Sequence, residues 1–595
     1  MKSPKRPVEN KPAAVTAAPA SDQTRWPVLL GLLFFAFALY EIYRPALTGP
    51  FLFDDLYLPF MIPNFAQNPL RDWVVGVRPT LQVTYWLNYR LFGLDSYYFH
   101  LVNLVLHAAA GYFVWLAARK LLDYAKLETS LRNIYAAFAT ALFLVHPLQS
   151  ESVGYVASRS EVVSGLFFLI AWVAFLYRQH VAIRFSEVAL ILVFFVFAVT
   201  SKEHTAVLPA VLLLTDYFFN PGFTLEGIRK NWRLYVPIIG GAALGIVVIF
   251  KVVLTRASTA GFGMKDLTPL DYLFTQFRSI VTYLRLFIIP AGQNIDYDIP
   301  ISHSLGDYFS WLCLLIILAL TAAAWIYRRK FPLAAFGFFL FLILLAPTSS
   351  VVPIRDVLVE RRMYLPIFAL SLCVIDFLRN RRIAITALAT TLTVICAVFA
   401  VLTWQRNHVW GSPVSLWHDS VKNSPQKYRP RFQLAYAHYQ SGQCLEATQQ
   451  YAEAAKLSPK PDYELYVDWA LAADCANKPG EALSRLEDAL RIEQSAHAWA
   501  LMGMVRAKTG AYDEALEALA QSEKVNSRFT MTYVYRGNVH MVRKDWDAAV
   551  VEFEKAVSVE PNDEAARQGL EKATASRNRA KAAAEKRAAK AAAAK

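Results

Sequence analysis

The sequence predicts an all-α protein in two parts, a polytopic bundle of transmembrane helices followed by an α-solenoid, and three observations carry that prediction. First, of 595 residues 55% are hydrophobic and 14% aromatic, with a positive mean hydropathy, which excludes a soluble domain for most of the chain. Second, apolar runs of roughly 16 to 22 residues recur before Trp404, the length needed where hydrocarbon leaves every backbone polar group to be satisfied within a helix. Third, hydropathy falls beyond Trp404 and a period near 34 residues begins.

The apolar runs number about eleven. They lie at 26–43, 100–118, 134–147, 161–178, 186–201, 203–219, 234–254, 309–327, 332–347, 363–378 and 383–403. Lys and Arg resist translocation, so their distribution sets the orientation. Lys2, Lys5, Arg6, Lys11 and Arg25 precede the first run, and alternate connections carry Arg119, Lys120, Lys126 and Arg132, then Arg229, Lys230 and Arg233, then Arg328, Arg329 and Lys330, then Arg379, Arg381 and Arg382. These segments are expected to be cytoplasmic, because the opposite loops are roughly threefold poorer in basic residues. An odd number of spans then places the C-terminal part outside. The stretch 273–290 breaks this parity; its Arg278 and Arg285 predict a re-entrant or interfacial helix with one wet face.

Residues 1–25 read as a cytoplasmic disordered tail rather than a cleaved signal, since the apolar run that follows lacks a small-residue cleavage site. The net charge of +14 is spread over loop ends and tails with no nucleic-acid-binding module, and anionic headgroups account for it. The membrane domain is therefore expected over 26–404.

In 405–570, Ala447, Ala482, Ala515 and Ala549 recur at spacings of 35, 33 and 34, the period of tetratricopeptide repeats. Leu434, Gly442, Tyr451, Ala454 and Pro459 support the first unit, Trp499, Gly503, Gly510 and Leu519 the third, and Gly537, Phe553, Ala556 and Pro561 the fourth; the second is degenerate. Small residues at these points let paired helices approach, and stacking buries an apolar face that one unit cannot bury alone. Segment 571–595 is nearly all Ala, Lys, Arg and Glu, which favours helix but offers no apolar stripe, so a solvated, frayed tail is expected. Cys313, Cys373 and Cys396 sit in apolar runs as small hydrophobes, whereas Cys444 and Cys475 fall near turns of adjacent repeats and can bond if that side is oxidising.

Charge beside a span is costly unless it faces water or a partner, which singles out Asp54 and Asp55 of FLFDD, directly after the first run, as catalytic candidates. Five further connections on the same face supply Arg78; His146 and Glu151; Arg159 and Glu161; Lys202 and Glu203; and Glu360, Arg361 and Arg362. Converging acid, base and cation is what a site for an anionic lipid substrate requires. His100 and His107 share a helix face but lack a carboxylate, which favours structural hydrogen bonds over a metal, and no metal site is expected. Tyr85, Trp86, Tyr89 and Phe92 read as an amphipathic helix on the membrane surface.

FLFDD, RPT at 78–80, FHLVNLVLH at 99–107, HPLQSESVGYVASRSE at 146–161, SKE at 201–203, ERRMYLP at 360–366 and the repeats, in this order, resemble the transmembrane and tetratricopeptide-repeat O-mannosyltransferases and their bacterial relatives in the C-type superfamily of membrane glycosyltransferases. The resemblance implies an inverting glycosyltransferase that uses a polyprenyl-phosphate sugar and no further cofactor, with Asp54 as base, Asp55 in the motif's second acidic position, and Arg361 facing the carrier phosphate. Transfer to a hydroxyl needs a base for its proton, while a phosphate leaving group needs cations rather than an acid. The remaining polar residues carry over as site lining; Ser and Gln in HPLQSES depart from the usual form around Glu151. The repeats imply a protein Ser/Thr acceptor. An envelope glycan or lipid acceptor, and a non-catalytic scaffold, are the alternatives. The expected setting is a bacterial inner membrane with periplasmic repeats, or a lumenal placement in a eukaryote.

Overall fold

The computed structural model describes residues 25–179, 182–249, 260–264 and 266–593; the expected tail lies, but for Arg25, outside them. The chain is 77% helical, with no strand among the described residues. Helices occupy each of the eleven expected apolar stretches. Five are long and apolar enough to cross a bilayer by themselves: Leu29–Leu47, Ser96–Tyr124, Val156–Leu176, Asp307–Ile326 and Ile385–Val409. Thr129–Val145, Phe185–Val199 and Pro332–Leu345 are equally apolar but shorter. A 14-residue helix rises only about 21 Å against a hydrocarbon core of about 30 Å, so the count of eleven crossings goes beyond what length supports.

One core, running from Leu39 to Leu392, joins these helices. His-Pro at 146–147 ends the Thr129–Val145 helix, since a residue before proline avoids the α region. The chain then makes a fully buried short helix, Gln149–Gly154, and a single turn at Val156–Ser158 before the helix Arg159–Leu176 begins. This buried connector is the hub of the polar face.

The 273–290 stretch is a helix, Pro269–Ile288, outside the five. Arg285 is exposed and Arg278 part-exposed, as a wet face requires, while Thr275, Gln276 and Ser279 turn into the protein, where Gln276 Nε2 donates to the Val357 carbonyl at 2.8 Å. The Pro79–Phe92 helix also forms, but Tyr85 points inward and donates to the Val156 carbonyl at 2.8 Å. Its exposed stripe is Val83, Leu87 and Leu91.

The repeats form paired helices from Tyr428 to Val559. Ala447, Ala482, Ala515 and Ala549 are each fully buried, and a Cβ on Gly503 would lie 2.6 Å from Leu519 Cγ, which explains why that position is glycine. Cys444 and Cys475 are bonded, with Cα atoms 5.7 Å apart. The last segment departs from the frayed tail expected: helix runs Glu564–Ala593, and Ala566 and Ala573 are buried in a cluster with Phe553 before the remainder becomes exposed. Small alanines let its first turns pack where no large apolar stripe exists.

The solenoid is seated on the membrane domain by polar contacts. Arg429 pairs with Asp296 and, at 2.7 Å, with Asp356; Lys427 reaches Asp296 at 2.7 Å. Asn294 Nδ2 donates to Ser424 Oγ at 2.7 Å.

Candidate functional site

The acidic pair after the first helix has two different environments. Asp54 is exposed, and its backbone N–H donates to the Tyr155 hydroxyl at 2.9 Å. Asp55 is completely buried, and its carboxylate accepts the N–H of Leu52 at 3.0 Å and of Ala157 at 2.6 Å. Burial pushes the Asp55 carboxyl up to about 7, against the pull of these N–H donors. Expected beside Asp54 as a catalytic candidate, Asp55 fastens the turn to the connector. Of the two carboxylates, Asp54 is the exposed one.

The connector also holds the basic side. Glu151, 2% exposed, receives Arg361 Nη1 at 2.5 Å and the Arg361 backbone N–H at 3.0 Å. Burial works against the Arg361 charge, but Glu151, Tyr155 and Glu161 more than offset it and raise its pKa. Tyr155 feels both halves: burial, then Asp55 and Asp54, raise its pKa, and Arg361 lowers it. The Tyr155 phenol is thus subject to the acidic turn, which it contacts at Asp54, and to the opposing charge of Arg361.

Farther along, Glu161 pairs with Lys202 at 2.5 Å and lies 3.5 Å from His204. Burial lowers the His204 pKa, which keeps the ring neutral at pH 7, and also lowers that of Lys202. Arg78 grips Glu203 through two hydrogen bonds of 2.8 Å, and this fork overcomes the upward push of burial to hold the Glu203 pKa low.

Of the other expected residues, His146, Arg159 and Glu360 are buried with inward roles, while Arg362 is part-exposed and lines a cavity with Glu161 and His204. His146 is buried with Nε2 at 3.0 Å from the Phe287 carbonyl and Nδ1 accepting the Leu148 N–H, so it pins backbone rather than lining the site. Arg159, wholly buried, donates to Asn103, Asn88 and the Phe99 carbonyl at 2.6 to 2.8 Å. Glu360 accepts from Gln293, Asn294 N–H and Tyr297, and burial pushes it up to about 7. Arg362 donates to the Asp356 and Val357 carbonyls. His107 sits between Tyr364 Oη and the Leu144 carbonyl, a structural hydrogen-bond pair.

Sequence reasoning did not single out Tyr155, His204, Asn103 or Asn294. Tyr155 stood inside the motif at 146–161, one residue from Gly154, and its position between two polar clusters was the available signal.

No family model matches the sequence. Protein O-mannosyl-transferase F38B6.6 of Caenorhabditis elegans is 23% identical over 455 residues, covering 70% of this chain and 61% of that protein. Human protein O-mannosyl-transferase TMTC3 is 23% identical over 381 residues, 58% of this chain and 40% of its own. The chain spans under two thirds of the length of these curated relatives. Among solved structures, the tetratricopeptide protein YrrB is 15% identical at a TM-score of 0.24, covering 30% of this chain and 89% of its own. The family that the motifs resemble is thus the one for which the chain's homologues are named, the transmembrane and tetratricopeptide-repeat protein O-mannosyl-transferases.

Proposed function

We propose that this integral membrane protein is a glycosyltransferase that moves mannose or another hexose from a polyprenyl-phosphate carrier to a protein Ser/Thr hydroxyl, on the face where the repeats lie. The observation that carries the reading is the buried connector, which fastens the Asp54 turn through Tyr155 and Ala157 and holds Arg361 through Glu151. Asp54 removes the acceptor proton as the hydroxyl oxygen attacks the anomeric carbon from the face opposite the carrier. The bond from that carbon to the phosphate oxygen breaks, its electron pair leaves on the phosphate, and the configuration inverts. Arg361, with Lys202 and Arg78 nearby on the same face, holds the charge that develops there.

The concave solenoid takes the acceptor polypeptide. The Cys444–Cys475 bond supports an oxidising compartment for the repeats, the periplasm if the host is bacterial, with the N-terminus cytoplasmic. Replacement Asp54→Asn keeps the shape and removes the base. Transfer from a polyprenyl-phosphate mannose to a Ser/Thr peptide, followed in membranes by mass spectrometry, is expected to fall at least about 100-fold. Near-normal transfer by that variant rejects Asp54 as base. Loss of sugar from an envelope glycan, with peptides unaltered in a deletion strain, replaces the protein acceptor by a glycan.

A further inference from the structure

The segment that leads into the solenoid does more than join it to the last membrane helix. Its Trp410 is 1% exposed and stacks on Tyr155 with ring centroids 5.6 Å apart, the same Tyr155 whose hydroxyl accepts the Asp54 N–H. Trp417, on the first helix beyond the membrane, Pro413–Asn423, is 3% exposed and meets the Phe53 ring edge-on at 5.3 Å. Phe53 directly precedes Asp54 and has φ of 48°, a left-handed conformation that side chains other than glycine and asparagine rarely adopt. The chain approaches so closely here that a Cβ on Gly49 would stand 2.6 Å from the Trp410 carbonyl oxygen. The basic half is reached as well: Asn294 donates its side chain to Ser424 of the neck and its backbone N–H, at 2.7 Å, to Glu360, the residue before Arg361.

A tether needs none of this. We propose that Trp410 and Trp417 are positioning residues for Asp54, so that seating of the solenoid's neck holds the FLFDD turn in its reactive shape. An unfavourable backbone angle persists only where its surroundings over-determine it, and at Phe53 the indole of Trp417 is one of those surroundings. The proposal rests on Asp54 as base, and it predicts that the neck acts on turnover rather than on capture of the donor.

The test uses the full chain in lipid nanodiscs, with Trp417→Ala, Trp417→Phe and, as a control on the Asp307–Ile326 helix away from the site and the repeats, Trp311→Ala, whose side chain is exposed. Trp417→Ala is expected to lower kcat at least about tenfold while leaving KM for polyprenyl-phosphate mannose within about twofold, because misplacing a reacting group costs rate steeply. Trp417→Phe is expected to restore most of kcat, and Trp311→Ala to leave it unchanged. Amide exchange over residues 52–57 is expected to rise in Trp417→Ala and not across the Ser96–Tyr124 helix. Unaltered exchange there overturns the brace, whatever the activity; raised exchange with unchanged kcat overturns its positioning role. A parent chain that transfers no sugar sinks the transferase reading instead, and does so before any variant is compared.

Discussion

The two halves of the molecule use charge in opposite ways. Around the connector, ion pairs are enclosed and span long sequence distances: Arg361–Glu151 with side chains 24% and 2% exposed, Lys202–Glu161 with 17% and 5%. Along the repeats many are local or wet, as in Lys456–Glu453, one helical turn apart with side chains 69% and 48% exposed, and Arg536–Glu552 is an enclosed exception. Enclosed pairs are costly to assemble and are weak contributors to stability, whereas the close approach of small residues is a cheap and sufficient way to build a solenoid. Enclosed pairs also occur at the opposite helix ends, Arg178–Asp216 and Arg379–Asp376, so what distinguishes the connector is that its pairs stand beside the exposed acidic turn.

Removing one partner of an enclosed pair is expected to have the largest effect. Glu151→Ala takes the paired carboxylate from the largely enclosed Arg361 and leaves Glu161 as a weaker offset, at up to about 3 kcal/mol, and transfer should fall about 100-fold or more. Thermal denaturation and single-turnover transfer on the same preparation measure both. In the repeats the corresponding weak point is packing. Gly503→Val sets a branched side chain against Leu519, a cost of about 1–3 kcal/mol, read as earlier proteolysis of 405–570 while the membrane part stays protected.

The enclosed carboxylates also predict a pH dependence. Glu360 and Asp55 each hold a proton up to about 7, above their usual range. The folded chain binds those protons where the unfolded chain has lost them, so the contribution of these two groups to stability is greatest at acid pH and declines as pH rises from about 4.5 to about 7, by roughly 1 kcal/mol per unit for each group. Glu360→Gln should flatten that decline in a series of thermal midpoints, and a midpoint that rises over the same window contradicts the assignment. The smallest effect belongs to the wet pair. Lys456→Ala should change stability by less than about 0.5 kcal/mol, and a larger loss would erase the contrast drawn between the halves.

The repeats were legible because a period does not depend on knowing the fold: Ala447, Ala482, Ala515 and Ala549 mark the close approach of paired helices wherever the stack goes. The acidic turn was legible because charge after an apolar run needs a reason. The division of labour between Asp54 and Asp55 was not, since it depends on the Ala157 N–H about a hundred residues away. Likewise Arg78 with Glu203 and Glu151 with Arg361 are separated by 125 and 210 positions, and nothing local pairs them. His146 and Arg159 read as site lining for the same reason that they are buried: a polar side chain held by backbone carbonyls or by Asn103 has the same letters as one that faces a substrate. The crossing count came from composition, and among the described residues five helices are long and apolar enough to cross by themselves.

Three cations on the polar face already have a carboxylate, Arg78 with Glu203, Lys202 with Glu161 and Arg361 with Glu151, while part-exposed Arg362 bonds to the Asp356 and Val357 carbonyls. On the proposed function, a phosphate ester that takes one of these three cations exchanges partners with a carboxylate, so its affinity is a difference between two pairings. Under that same proposal the carboxylates are on hand to reclaim their cations once the sugar has gone, a built-in route to eviction of the spent carrier.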